Sequence, residues 1–362
     1  MTYTQGIETP LKPKPVNKFQ FICSNYLSCF TLITLWVGVE LGGLWHGATT
    51  LWFFIVVPLF DYFMKNDLDN FDSNRLSNTE TILLQLAPMG YIFGHVIFFF
   101  VYATIAPELS TSELILASLS LGVSATANIG AAHELIHKRN AISKTIARLG
   151  LLMVGYMHFE YFHLLCHHKI ACTKDDFNAA RKGHSAYQHL VRSFRGSIPF
   201  CWNHEVARLK NNNLNSINIH NKVLWFAFLP TLLLILITAI FGIQAAILFV
   251  SQAIISVVTL ETVSYIQHYG LERSTLNSGR YEKTSLAHSW DSYNKISNLA
   301  TFMIGRHSNH HMDPRRDFYK LESNTASPQL PYGYTVMVVS AFIPPLWRLL
   351  MDSRVKSVLQ KT

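Results

Sequence analysis

The sequence predicts an all-α integral membrane protein, with six transmembrane helices paired as three hairpins and a cytoplasmic cap rich in histidine. Three observations carry that expectation. Of 362 residues only 14% are charged and 49% are apolar, whereas an ordinary soluble domain is about a quarter charged. The apolar residues gather in long blocks, and the mean hydropathy is +0.20. Finally, the 30 Lys and Arg residues leave three long gaps, with none between Lys18 and Lys65, Arg75 and Lys138, or Lys222 and Arg273. Each gap holds two crossings of roughly 20 residues and a turn. The same composition excludes a disordered chain, which would be polar and highly charged.

In the first gap the spans are expected over 21–41 and 45–63, turning at Gly42, Gly43 and Gly47. The second holds 81–106, with the run Val96-Ile-Phe-Phe-Phe-Val101, and 112–132, turning near Pro107–Thr111. The third holds 222–241 and 244–263, turning at Gly242. Three hairpins put both termini and all 30 cations on one side, which the positive-inside rule makes the cytoplasm. The expected location is therefore the cell inner membrane, crossed several times with both termini cytoplasmic.

Five segments follow: a polar tail over 1–20, spans one to four over 21–132, cap over 133–221, spans five and six over 222–263, and cap over 264–362. The tail, with Pro10, Lys12 and Lys14, does not read as a signal peptide. Ile146–Tyr156 is apolar but too short to span, so it lies against or re-enters the bilayer. Tyr332–Leu350, broken by Pro344, Pro345 and Arg348, reads as an interfacial helix. The net charge of +8 suits this topology and anionic lipid, not nucleic acid. Five cysteines without a C-x-x-C pair give no disulfide framework and no iron–sulfur module.

Histidine is the remaining signal. Nine of 17 fall in four clusters, each just beyond an apolar segment: His133 and His137; His163, His167 and His168; His268; and His307, His310 and His311. His133-Glu-Leu-Ile-His137 continues the fourth span, and its i, i+4 spacing sets both rings on one helical face, able to grip a metal. That string alone also fits a zinc protease with Glu134 as general base, but such a site leaves the other clusters unexplained. A metal transporter also combines spans with histidine, yet its sites lie near the midplane on broken helices. Neutral imidazole suits iron, copper and zinc. Nine imidazoles exceed one coordination sphere, so the pattern implies two metals.

These residues carry a resemblance. His133-Glu-Leu-Ile-His-Lys138, His163-x3-His167-His168, Tyr265-Ile-Gln-His-Tyr-Gly-Leu271 and Arg306-His-Ser-Asn-His-His311 resemble the four histidine motifs of integral-membrane alkane 1-monooxygenases, within the membrane fatty acid desaturase/hydroxylase superfamily. Ser278-Gly-Arg-Tyr-Glu282, His288-Ser-Trp-Asp291, Pro328–Tyr334 and Ile343-Pro-Pro-Leu-Trp347 are similar too. The motif around His268 is the specific one. Two departures stand beside it: Ser264 where relatives commonly have Asn, and Gln267 where they have Glu. The Gln is similar to xylene monooxygenases and bears on substrate choice.

The resemblance implies a non-haem diiron centre on the nine histidines, using O₂ as cosubstrate to convert an alkane or other small hydrocarbon into a 1-alkanol. It also implies electrons from rubredoxin, or a ferredoxin, with an NAD(P)H-dependent reductase. Polar groups placed to orient the imidazoles are Glu134, Asp175, Asp176, Glu261, Asp291, Asn309 and Asp313. Trp52, Phe53 and Phe98 are candidates for lining a substrate route from the bilayer, and Arg181, Lys182, Arg315 and Arg316 for docking an acidic carrier. The alternatives are a xylene-type methyl-group monooxygenase or a lipid desaturase/hydroxylase and, remotely, the transporter.

Overall fold

The computed structural model describes residues 17–64 and 66–360. Nearly all of the expected tail lies outside them. The described residues form helices and turns, with only isolated bridges such as Asp291 with Gln329 in place of strands. Six helices are long and apolar enough to cross a membrane: α1 Lys18–Leu41, α2 Gly43–Met64, α3 Asn78–Glu108, α4 Thr111–Ile136, and, further along, Lys222–Phe241 and Ile243–His268. Between the fourth and fifth lie α5 Ala141–Leu152, α6 over 159–170 and α7 Ala186–Lys210, which make the last two spans α8 and α9. Short helices α10 Lys295–Ala300 and α11 His307–Met312 follow, then α12 Tyr334–Ala341 and α13 Pro344–Leu359.

The expected hairpins form, and their turns use the residues the sequence marks. Gly42 and Gly242 adopt φ of 60° and 87°, a left-handed backbone that glycine accepts without a side-chain clash. The turn between α3 and α4 ends at Ser110, whose hydroxyl accepts from Glu113 N while Glu113 reaches back to Ser110 N at 2.9 Å. Ser77 and Glu80 start α3 in the same reciprocal way, which satisfies amides that a helix start leaves open.

Three boundaries differ from expectation. The sixth span runs on to His268, so that histidine ends α9 itself and does not lie about five residues beyond the span. Polar residues Glu261, Thr262, Ser264 and Gln267 continue the helix because the fold buries and satisfies them. The C-terminal segment, expected as one interfacial helix, is two helices, α12 and α13, bent by 119°; Pro344 and Pro345 cannot continue a helix but suit the start of a new one. Ile146–Tyr156 belongs largely to α5, an amphipathic helix lying on α4, where Asn128 Nδ2 donates to Gly150 O at 2.9 Å.

Packing at the centre is between α4 and α9, and α4 is built for it. Its Ser118-Leu-Ser-Leu-Gly-Val-Ser-Ala-Thr-Ala127 stretch is rich in small residues, which let membrane helices approach closely. A Cβ on Gly122 would lie 2.5 Å from Ile255 of α9. The contact leaves the ends of both helices side by side, carrying His133 and His268. All four histidine clusters therefore sit at the end of the bundle opposite the three hairpin turns.

Candidate metal centre

The nine clustered histidines converge as two adjacent groups. His133, His137, His163, His168 and His310 form one, and His167, His268, His307 and His311 the other. Within each group one ring nitrogen per residue lies within 4.8 Å of all the rest. The groups touch, with the ring centroids of His168 and His311 4.7 Å apart. All but the half-buried His168 are buried.

Local backbone decides which ring joins which group. His133 and His137 stay together, as i, i+4 spacing in α4 requires. The same logic pairs His163 with His167, but the structure does not. His163–His167 is a π turn, whose i→i+5 register aligns His163 with His168, their Nε2 atoms 2.9 Å apart. His167 is thereby turned into the other group. In α11, His307 and His311 pair across one α turn with Nε2 atoms 3.0 Å apart, and His310 points to the first group. That helix has only six residues, too few to hold itself. Asp291 anchors its start, accepting from Ser308 N at 2.8 Å and from the Ser308 hydroxyl.

The groups suit metal binding. Nε2 of His137, His268 and His310 is buried without a hydrogen-bond partner, a costly state for a polar atom. Burial, reinforced by neighbouring histidines, pushes His137, His163, His168, His307, His310 and His311 well below the ordinary imidazole range. They are neutral at pH 7, with lone pairs to give. Neutral imidazoles without thiolate fit iron, and also copper or zinc.

Outer groups fix two of the rings. His167 Nδ1 donates to Asp176 Oδ2 at 3.0 Å, and His268 Nδ1 donates to His288 O at 3.0 Å. Each bond leaves Nε2 facing its group. Burial alone would raise Asp176, but His167, its hydrogen bond and nearby His268 hold that carboxyl below the usual range. Cys172 Sγ lies 3.2 Å from His268 Nδ1, with Cys172 at φ 59°. Glu261 accepts from Tyr156 Oη at 2.7 Å and Asn178 Nδ2 at 2.9 Å, in the wall beside His133, His163, His167 and His307. Cys172, Tyr156, Asn178 and Ser308 escape a reading of sequence because only the fold brings them here.

The other expected orienting groups stand elsewhere. Asp175 and Asp313 are exposed. Asn309 accepts from Arg316 and from Glu322 N, and Glu134 is 2.6 Å from Lys138 Nζ and accepts from Phe318 N. None of the four hydrogen-bonds an imidazole.

An apolar cavity of about 120 Å³ lies between α2, α4, α9 and α12. Of the aromatic residues, Phe53 and its neighbour Phe54 line it. Trp52 instead packs on Phe30 at 4.5 Å, and Phe98 lies in a separate apolar cluster with Leu35 and Phe249. Both phenylalanines sit in a π turn, Trp52–Val56, next to Pro58, which has no N–H for the carbonyl of Phe54. Thr126, Thr259 and Thr301 also line the cavity, but each hydroxyl donates to the carbonyl four residues back. They present methyl groups, so the space stays apolar. Among the expected docking cations, Arg181, Lys182 and Arg315 are exposed, while Arg316 pairs with Glu322 at 3.5 Å.

The fatty acid desaturase family model matches residues 110–341. An alkane 1-monooxygenase of Alcanivorax borkumensis is 32% identical over 89% of this chain and 86% of its own. The chain belongs to the fatty acid desaturase family, among the alkane 1-monooxygenases. Two alkane 1-monooxygenases of Pseudomonas aeruginosa are 37% and 38% identical over 66% of this chain, and the match spans 64% and 63% of their length, just under two thirds. The family match contains all nine histidines. In this alkane 1-monooxygenase relative, Ser264 and Gln267 both face the space beside the histidines. Gln267 O accepts from Trp290 N at 2.7 Å.

Proposed function

We propose that the protein is a membrane non-haem diiron monooxygenase that converts an alkane to its 1-alkanol with O₂ and electrons from rubredoxin. The observation that carries this is the pair of imidazole groups, beside which small spaces share Thr301 and Val263 with an apolar cavity. His133, His137, His163, His168 and His310 would hold one iron, and His167, His268, His307 and His311 the other. When bound, the irons supply the O₂-activating redox chemistry that a saturated C–H bond demands and no side chain offers. The reaction balances as alkane, O₂, two electrons and two protons giving alkanol and water.

The protein's own residues bind, orient and exclude water. Phe53, Val123 and Val263, with the methyl faces of Thr126, Thr259 and Thr301, give the hydrocarbon an apolar path from the bilayer. Asp176 keeps the proton of His167 on Nδ1, and the carbonyl of His288 does so for His268, so both rings present an unprotonated Nε2. The histidine end faces the cytoplasm, where the exposed cations Arg181, Lys182 and Arg315 suit an acidic electron carrier. Gln267 beside the histidines favours one second reading, a xylene-type methyl-group monooxygenase. Purified protein supplied with rubredoxin, its reductase, NADH and a mixture of octane and p-xylene separates these. 1-Octanol supports the proposal, benzylic alcohol alone supports the second reading, and an alkene or no oxygenated product contradicts both.

A further inference from the structure

The geometry points to Gly130 as the throat through which the end of the substrate chain reaches the histidines, and so as the position that sets which chain ends are admitted. This rests on the hydrocarbon-oxidising reading above.

Helical register is the first observation. Leu119, Val123 and Thr126 line the apolar cavity, while Gly130 and His133 border the space shared with His307 and His310. Steps of four, three, four and three residues put all five on one face of α4. Going along that face, a chain leaves apolar side chains, passes a residue with none, and meets the first imidazole. The two spaces also share Thr301 in their walls, so Gly130 stands at their junction.

The second observation is that packing does not explain this glycine. A glycine inside a helix costs about 1 kcal/mol relative to alanine. At two other helix glycines the reason is visible: a Cβ on Gly122 would lie 2.5 Å from Ile255, and one on Gly150 3.0 Å from Asn128. At Gly130 a Cβ would meet nothing within 4 Å. Its neighbours Ile129, Ala131 and Ala132 are sealed at 0% exposure, yet Gly130 itself keeps accessible surface. The missing side chain leaves open space where a packed helix would have a contact.

The test uses graded variants in the full chain. Gly130→Ala should fold with a melting temperature no lower than wild type, since the added methyl has room. Along Gly130→Ala, Gly130→Val and Gly130→Leu, kcat/KM for n-octane should fall progressively, by roughly tenfold or more at Leu, about 1.4 kcal/mol of barrier, with bound iron unchanged. A second readout needs neither iron nor turnover. In metal-free protein, Gly130→Cys should react with a short alkyl thiosulfonate, detected on its own peptide by mass spectrometry, and dodecane should slow the reaction. Full octane turnover by iron-loaded Gly130→Leu, or an unreactive Cys at 130, overturns the inference. If wild type makes no alkanol, the functional reading fails on its own, and the labelling result still decides the throat.

Discussion

The two histidine groups differ in how they are held. In the group of four, His167 leans on a buried carboxylate and His268 on a main-chain carbonyl, while Asp176 itself accepts from Asn178 N at 2.9 Å. The group of five draws two rings each from α4 and α6 and one from α11; Nδ1 of its His168 is buried without a partner, and His168 is half-buried. Its His133 and His310 border the space next to Gly130. Two rings of the group of four are tied from behind, whereas the group of five relies on the number of its imidazoles. Outer hydrogen bonds commonly contribute 10- to 100-fold in metal affinity, so the groups should respond differently to the same kind of change.

The largest effect should come from removing a ligand on either side. His310→Ala and His311→Ala should each abolish turnover while the protein still inserts, and each should lower bound iron from two to about one per chain, read by elemental analysis. Full activity in either variant breaks the division into groups. Next in size is Asp176→Asn, which should weaken one iron site by roughly 10- to 100-fold and make chelator titration biphasic. Asp175→Asn and Asp313→Asn, both exposed, should leave a single phase. Equal weakening at both sites would erase the contrast.

A pH effect should be intermediate. In the metal-free protein, His137, His163 and His168 of one group and His307 and His311 of the other stay neutral well below the ordinary range because they are buried. The unfolded chain protonates them near 6.5. As pH falls through about 6.5 the unfolded state binds more protons, so stability drops; above about 7.5 these groups leave it flat. Thermal unfolding from pH 8 to 5 measures this, and stability that rises on acidification contradicts the neutral assignment. The smallest effect belongs to His288→Ala. It keeps the carbonyl that holds His268, so bound iron should stay at the wild-type level.

Much of this was legible in the chain. Gaps in Lys and Arg located six spans because charge is expensive in lipid, and His133 with His137 was readable because an α helix repeats every few residues. The sorting of His163, His167 and His168 was not. It depends on a π turn, a change of backbone register that no residue type in that stretch announces. His268 seemed to lie beyond its span because hydropathy falls at Glu261 and Ser264, but Tyr156 and Asn178, distant in sequence, satisfy those polar groups within the fold. Asp176 and Asp175 look alike in sequence, yet one is sealed against His167 and the other is exposed. Phe98 looked like channel lining because apolar character does not say which face of a span meets a cavity.

The most direct measurement is the metal content of the purified wild-type chain, with Mössbauer spectra of ⁵⁷Fe-enriched protein. Two irons per chain, in two nitrogen-rich environments that report five and four imidazoles, is the predicted result. A single iron, or zinc filling the same histidines in a preparation that still oxidises hydrocarbon, contradicts it.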